Sequence, residues 1–152
     1  MDRTEKAEYI IGSISLLSNK ITLLGDTIFP DITFKQWFLL MMISKIERQD
    51  KNLNSIAEVV GTTRQNVKKM LLPLQSKGYV TIEKSKNDAR ALNVELTEKT
   101  YQYFDENNEP TAIEANKLFS PFSITEIDSF VYTLEKLLRC FETYEKDRWI
   151  YE

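Results

Sequence analysis

The chain has 152 residues, 42% of them hydrophobic and 28% charged, with a net charge of -3. Those proportions describe an ordinary globular protein of one domain or two small subdomains. Histidine is absent and there is one cysteine, Cys140. Metal sites of the Cys/His kind, Ser-His or Cys-His catalysis and an internal disulfide are therefore excluded.

In chain order, "TEKAEYIIGSISLLSNKITLLGDTIF" places Ile10, Ile14, Leu17, Ile21, Leu24 and Ile28 on one helical stripe, and Pro30 stops it. "TFKQWFLLMMISKIE" begins with a capping threonine, Thr33. It is apolar on most faces, which predicts a helix buried on several sides. A short helix is expected from near Asn54 to Gly61. A further one has Thr63 as N-cap and Gly78 just past its end. Pro73 falls inside that helix, and a bend rather than a stop is expected there.

"YVTIEK" and "ALNVELT" alternate and are rich in β-branched residues, with polar "SKNDAR" between them, so they read as a two-stranded hairpin. From Thr97 a helical pattern resumes, and Pro110 is expected to break it or start another. The last helix begins at Ser123, with Glu126 completing a capping box. Its stripe is Ile127, Phe130/Val131, Leu134, Leu137/Leu138, Phe141 and Tyr144.

Charge is spread unevenly over these elements. Residues 62–90 hold seven basic side chains against two acids, a surplus of +5, and the remainder of the chain stands at -8. A basic module inside an acidic frame is an electrostatic footprint of nucleic-acid binding. Ile56, Ala57, Val60, Val67, Leu71 and Leu74 can join the third and fourth helices as a helix-turn-helix. Such packing leaves Thr63, Arg64, Gln65, Asn66, Lys68 and Lys69 on the outer face. Arginine pairs bidentately with guanine and glutamine or asparagine with adenine, while lysines and a helix N-terminus suit phosphates. A merely solvated helix can show the same face; the basic hairpin beside it, with Lys84, Lys86 and Arg90, favours DNA.

These segments resemble the MarR family of bacterial winged-helix regulators. "IAEVVGTTRQNVKKMLLPLQSKGYV" followed by "NDARALNVELTEK" carries the likeness, and the D-x-R then L-T of the wing is its most specific element, matched by Asp88, Arg90, Leu96 and Thr97. The resemblance implies homodimers with intertwined terminal helices. It implies repression through pseudo-palindromic operators on double-stranded DNA, with release by small aromatic ligands or by cysteine oxidation in many members. Carried over by position, Thr63–Lys69 is the reading face, Arg90 enters the minor groove and Asp88 orients the wing. One departure is Thr100, where the family commonly has a glycine soon after the L-T.

The expected fold is mostly α with a small β-wing: a winged helix-turn-helix over residues 31–109, and a helical dimerisation region from 1–30 and 110–152. The expected function is sequence-specific transcriptional regulation, as a repressor. The second reading is a winged-helix module that docks an acidic protein without reading bases. An enzyme is not expected, since the acids are scattered and form no catalytic constellation. No cofactor, metal or membrane partner is expected, and the cytoplasm is the expected compartment. Cys140, beside Leu137, Leu138 and Phe141, reads as a buried structural cysteine. Trp37, Phe38, Met41 and Met42 read as core before they read as a ligand pocket, and no ligand can be named.

Overall fold

Helix boundaries in the computed structural model follow local capping chemistry. Residues 1–47, 51–84 and 92–149 are described, with side chains through Tyr144. Helix α1 (Arg3–Ile28) opens with an Asp2/Glu5 capping box, and α2 (Phe34–Lys45) with one from Thr33 and Gln36. Helix α3 (Leu53–Val60) is capped by Asn52, whose side chain accepts from the Asn54 and Ser55 amides at 3.0 Å. Helix α4 (Arg64–Ser76) is capped by Thr63. Strands β1 (Val80–Lys84) and β2 (Leu92–Leu96) pair antiparallel, from Val80 opposite Leu96 to Lys84 opposite Leu92. Helices α5 (Glu98–Phe119) and α6 (Ile124–Trp149) complete the chain.

Pro73 does not end α4. The helix runs three residues further and closes with Gly78 at φ 79°, where the Tyr79 amide donates to the Leu74 carbonyl and the Gly78 amide to Gln75. A left-handed residue at this place is strained for any side chain, which is why glycine occupies it. Leu71 and Leu74, fully buried on either side of the proline, hold the helix across the missing hydrogen bond.

Pro110 corrects the expectation. It lies inside α5, which neither breaks nor starts there. The Asn107 side-chain amide donates to the Tyr103 carbonyl at 2.9 Å and the Thr111 hydroxyl to the Asn107 carbonyl at 2.6 Å. These bonds support the turns on either side of a residue that has no N–H to give.

The chain divides into two compact units, Met1–Thr111 and Ala112–Glu152. The first has one apolar core, in which Leu39, Leu40 and Ile43 of α2, Ile56 of α3, Val67, Leu71 and Leu74 of α4, and Val94 of β2 are fully buried. Phe29 stacks on Trp37 at 4.7 Å and Tyr79 meets Tyr103 edge-on at 5.3 Å. Helix α1 joins this core only at its end: Gly25 is its one buried residue, pressed against Phe34. The stripe from Ile10 to Leu24 stays 39–50% exposed.

In the second unit, Ser123 and Glu126 form the expected capping box. Among its described residues no side chain of α6 is buried, and Phe130, Val131, Leu134, Leu138, Phe141 and Tyr144 are all exposed. Cys140 is exposed as well, not buried. Its apolar neighbours predicted burial, but Leu138 and Phe141 are exposed and Leu137 is only half-buried.

Candidate nucleic-acid interface

Gly61 makes the turn between α3 and α4 at φ 69°, with the Thr62 amide donating to the Ala57 carbonyl at 3.0 Å. Two residues on, the Thr63 hydroxyl accepts the Asn66 amide at 3.2 Å and starts α4. Val67, Leu71 and Leu74 face inward against Ile56 and Ala57, all buried. The helical period then sends Arg64, Gln65, Lys68 and Lys69 to the opposite side, and all four are exposed. Among the described residues no ion pair engages Arg64, Lys68 or Lys69. The first-turn amides of α4 lack intrahelical acceptors, so cationic side chains and N–H donors share one surface.

Asn66 is also exposed, but its side-chain amide donates to the Thr62 hydroxyl at 3.3 Å. One of its hydrogen atoms is thereby committed to the turn. Lys84 ends β1 and is exposed. Lys86, Asp88 and Arg90, the rest of the expected wing contacts, lie outside the described residues.

The other end of α4 holds a cluster that reading the sequence missed. Lys77 Nζ donates to the Asp31 backbone carbonyl and lies 3.5 Å from its carboxylate, and the Tyr79 hydroxyl donates to the other carboxylate oxygen at 2.6 Å. Lys99 donates to the Lys77 carbonyl at 2.8 Å, with its ammonium 4.4 Å from the centre of the Tyr79 ring. Thr97 bonds back to the Gly78 and Tyr79 carbonyls at 2.7 and 3.1 Å. The threonine of the wing's L-T therefore ties the end of β2 to the end of α4. The Tyr79 hydrogen bond, helped by Lys77, holds the Asp31 carboxyl below its ordinary range. Burial, then Asp31, pushes the Tyr79 phenol well above its own. Lys77 is thus a paired cation rather than part of the free basic face.

A cleft of about 220 Å³ is lined by Trp37 and Met41 of α2 and by Phe104, Asp105, Asn107, Asn108 and Thr111 of α5. Trp37 and Met41 are half-buried. No group of His, Cys, Asp or Glu among the described residues could hold a metal ion, and no described helix is long and apolar enough to cross a membrane.

Solved structures share this fold. A MarR transcriptional regulator from Methanosarcina mazei Go1 superposes with a TM-score of 0.79 at 22% identity, over 90% of this chain and 98% of the other. The chain has the MarR-family fold. A MepR–DNA complex from S. aureus carries the MarR fold too, at TM-score 0.74 and 21% identity, over 84% of this chain and 94% of that one. In sequence, the transcriptional repressor MprA of Escherichia coli K12 is 28% identical over 117 residues, 75% of this chain. The match spans 66% of that repressor's length, just under two thirds. No family model matches the chain. In MarR terms, α3 and α4 are the helix-turn-helix and β1 and β2 the wing.

Proposed function

We propose that the protein is a DNA-binding transcriptional regulator of the MarR type, acting as a homodimer on pseudo-palindromic sites. The observation that carries this reading is the outer face of α4. Arg64, Gln65, Lys68 and Lys69 are exposed and free of ion pairs among the described residues, on a helix seated by buried Val67, Leu71 and Leu74. Such a helix lies in the major groove, where Arg64 and Gln65 address base edges and Lys68 and Lys69 the phosphates. Asn66 reads bases through its carboxamide oxygen and its remaining hydrogen. Lys84 and Lys86 add phosphate contacts, Arg90 enters the minor groove, and Asp88 orients the wing. The MprA and MepR–DNA relatives support the same reading.

The dimer rests on the exposed apolar side chains of α1 and α6, which water does not tolerate on this scale in a stable monomer. Residues 1–30 and 110–152 form the dimerisation region, and 31–109 the reading domain. The interface is isologous, so two reading helices face two half-sites. The Trp37, Met41 and Phe104 side chains lining the cleft suit a small aromatic ligand that releases DNA. The protein works in the cytoplasm, where its DNA is.

Salt titration of duplex binding tests the proposal. Counterion release makes log K fall steeply with log salt, and base reading adds a preference for one duplex over another. A salt-sensitive affinity with no sequence preference leaves the protein a nonspecific polyanion binder and refutes the regulator.

A further inference from the structure

The cluster at the far end of α4 joins three stretches that are distant in sequence. Asp31 lies in the loop between α1 and α2, Lys77 caps α4, Tyr79 leads into β1, and Lys99 lies in the first turn of α5. Both Lys77 and Tyr79 reach the one aspartate, 46 and 48 residues earlier. Tyr79 is 1% exposed, so its ring cannot shift without disturbing Tyr103 beside it. Its carbonyl accepts the Thr97 amide and the Thr100 hydroxyl. The end of α4 is therefore held by buried packing, by the Thr97, Lys99 and Thr100 bonds to its carbonyls, and by the Asp31 carboxylate, which among these ties is the one that reaches the α1–α2 corner through a side chain.

The geometry points to Asp31 as a positioning residue for base reading: it latches the C-terminal end of α4 to the α1–α2 corner and so aims the reading end. This inference rests on the proposed DNA reading. Helix α4 spans 13 residues, and at ~1.5 Å per residue a tilt of roughly 5° about its C-terminal joint moves the first turn by about 1.5 Å. A displacement of that size breaks a bidentate hydrogen-bond pair, which tolerates only a few tenths of an ångström. Phosphate contacts made by long lysines absorb it. The latch consequently controls specificity more than overall affinity. It also couples the corner that follows α1, whose apolar stripe lies on the proposed dimer face, to the helix that reads bases.

The test compares wild type, Asp31→Ala, Asp31→Asn and Tyr79→Phe on one selected operator and on random duplex, at several salt concentrations, with melting curves for each protein. Asp31→Ala is expected to lose roughly 3–30-fold in operator affinity, inside the range of coupling between groups in one network. Its affinity for random duplex is expected to stay level or rise slightly, because an acid has been removed. Asp31→Asn keeps a carbonyl oxygen for the Tyr79 hydroxyl and is expected to retain most of the preference. Tyr79→Phe, which leaves the ring in place, is expected to reproduce part of the loss, and the double variant Asp31→Ala/Tyr79→Phe to add little to Asp31→Ala. An equal gain on both duplexes by Asp31→Ala, or no change in their ratio in any variant, overturns the latch. A wild-type protein with no sequence preference overturns the DNA reading itself, and the latch with it.

Discussion

Helix α1 contains two glycines, and the same substitution at each is expected to act in opposite directions. At Gly12 nothing lies within 4 Å of where a Cβ would stand. At Gly25 that Cβ would lie 2.2, 2.5 and 2.7 Å from Cδ2, Cγ and Cβ of Phe34. Ordinary carbon contacts are about 3.5–4.0 Å, so the overlap exceeds ~1 Å. The Phe34 ring can swing, but its Cβ is fixed to the first turn of α2. The corner itself has to open, straining the 2.7 Å bond from the Phe34 amide to the Asp26 carboxylate. Overpacking of this kind costs about 1–3 kcal/mol, against a gain of roughly 0.5–1 kcal/mol from replacing a helical glycine by alanine. Gly25→Ala is expected to lose about 1–2 kcal/mol net, near 2–8 °C in Tm for a chain of this size. Gly12→Ala is expected to gain the propensity term alone. Thermal melts of the three proteins at one concentration measure both shifts, and a Gly25→Ala melt at or above that of Gly12→Ala refutes the argument. In a Phe34→Ala background the Gly25→Ala penalty is expected to shrink without vanishing, since only the 2.7 Å contact to Cβ remains.

On a selected operator, Arg64→Ala and Gln65→Ala are expected to cost ~1–3 kcal/mol and to relax preference at particular base pairs, whereas Lys68→Ala and Lys69→Ala weaken all duplexes and flatten the salt slope; identical behaviour of the two groups contradicts the face assigned to α4. Arg90→Ala is expected to reduce operator affinity while leaving melting and assembly unchanged, and Asp88→Ala to weaken it as well although an acid is lost; tighter binding by Asp88→Ala shows that Asp88 only repels phosphate. Leu17→Asp on α1 and Leu134→Asp on α6 are expected to halve the sedimenting mass, and a wild type that already sediments as one chain at micromolar concentration removes the dimer. The depressed Asp31 carboxyl contributes stability above its unfolded pKa and loses it as pH falls through the lower folded value. The gap in stability between wild type and Asp31→Asn, roughly 0–1 kcal/mol for so exposed a pair, is therefore expected at neutral pH and to close in acid; a gap that widens in acid contradicts the assignment.

Much of the fold was legible because it is written in local chemistry. Thr33, Thr63 and Ser123 cap helices where their hydroxyls predict, and Gly61 and Gly78 take the left-handed turns. The alternation in "YVTIEK" and "ALNVELT" became a two-stranded sheet with its register fixed by buried Val80 and Val94. Pro110 misled because proline is a local signal, and the hydrogen bonds that carry α5 past it come from Asn107 and Thr111. Cys140 misled for a different reason. A stripe of Leu137, Leu138 and Phe141 marks a face that wants covering, but not whether the same chain supplies the cover. At the interface, the exposed face of α4 followed from its period, while the pairing of Lys77 and Tyr79 with Asp31 did not. It joins residues nearly fifty positions apart, and no spacing announces it. The loss of Lys77 from the free basic face shows how a charge count overstates what is available to DNA.

Selection of bound duplexes from a random library tests the central claim most directly. A dimer presenting two α4 helices predicts an enriched inverted repeat, its half-sites about one helical turn, ~34 Å, apart. Arg64→Ala is expected to blur defined positions in both halves alike. A pool that stays random, or one that yields a lone half-site without symmetry, contradicts the account.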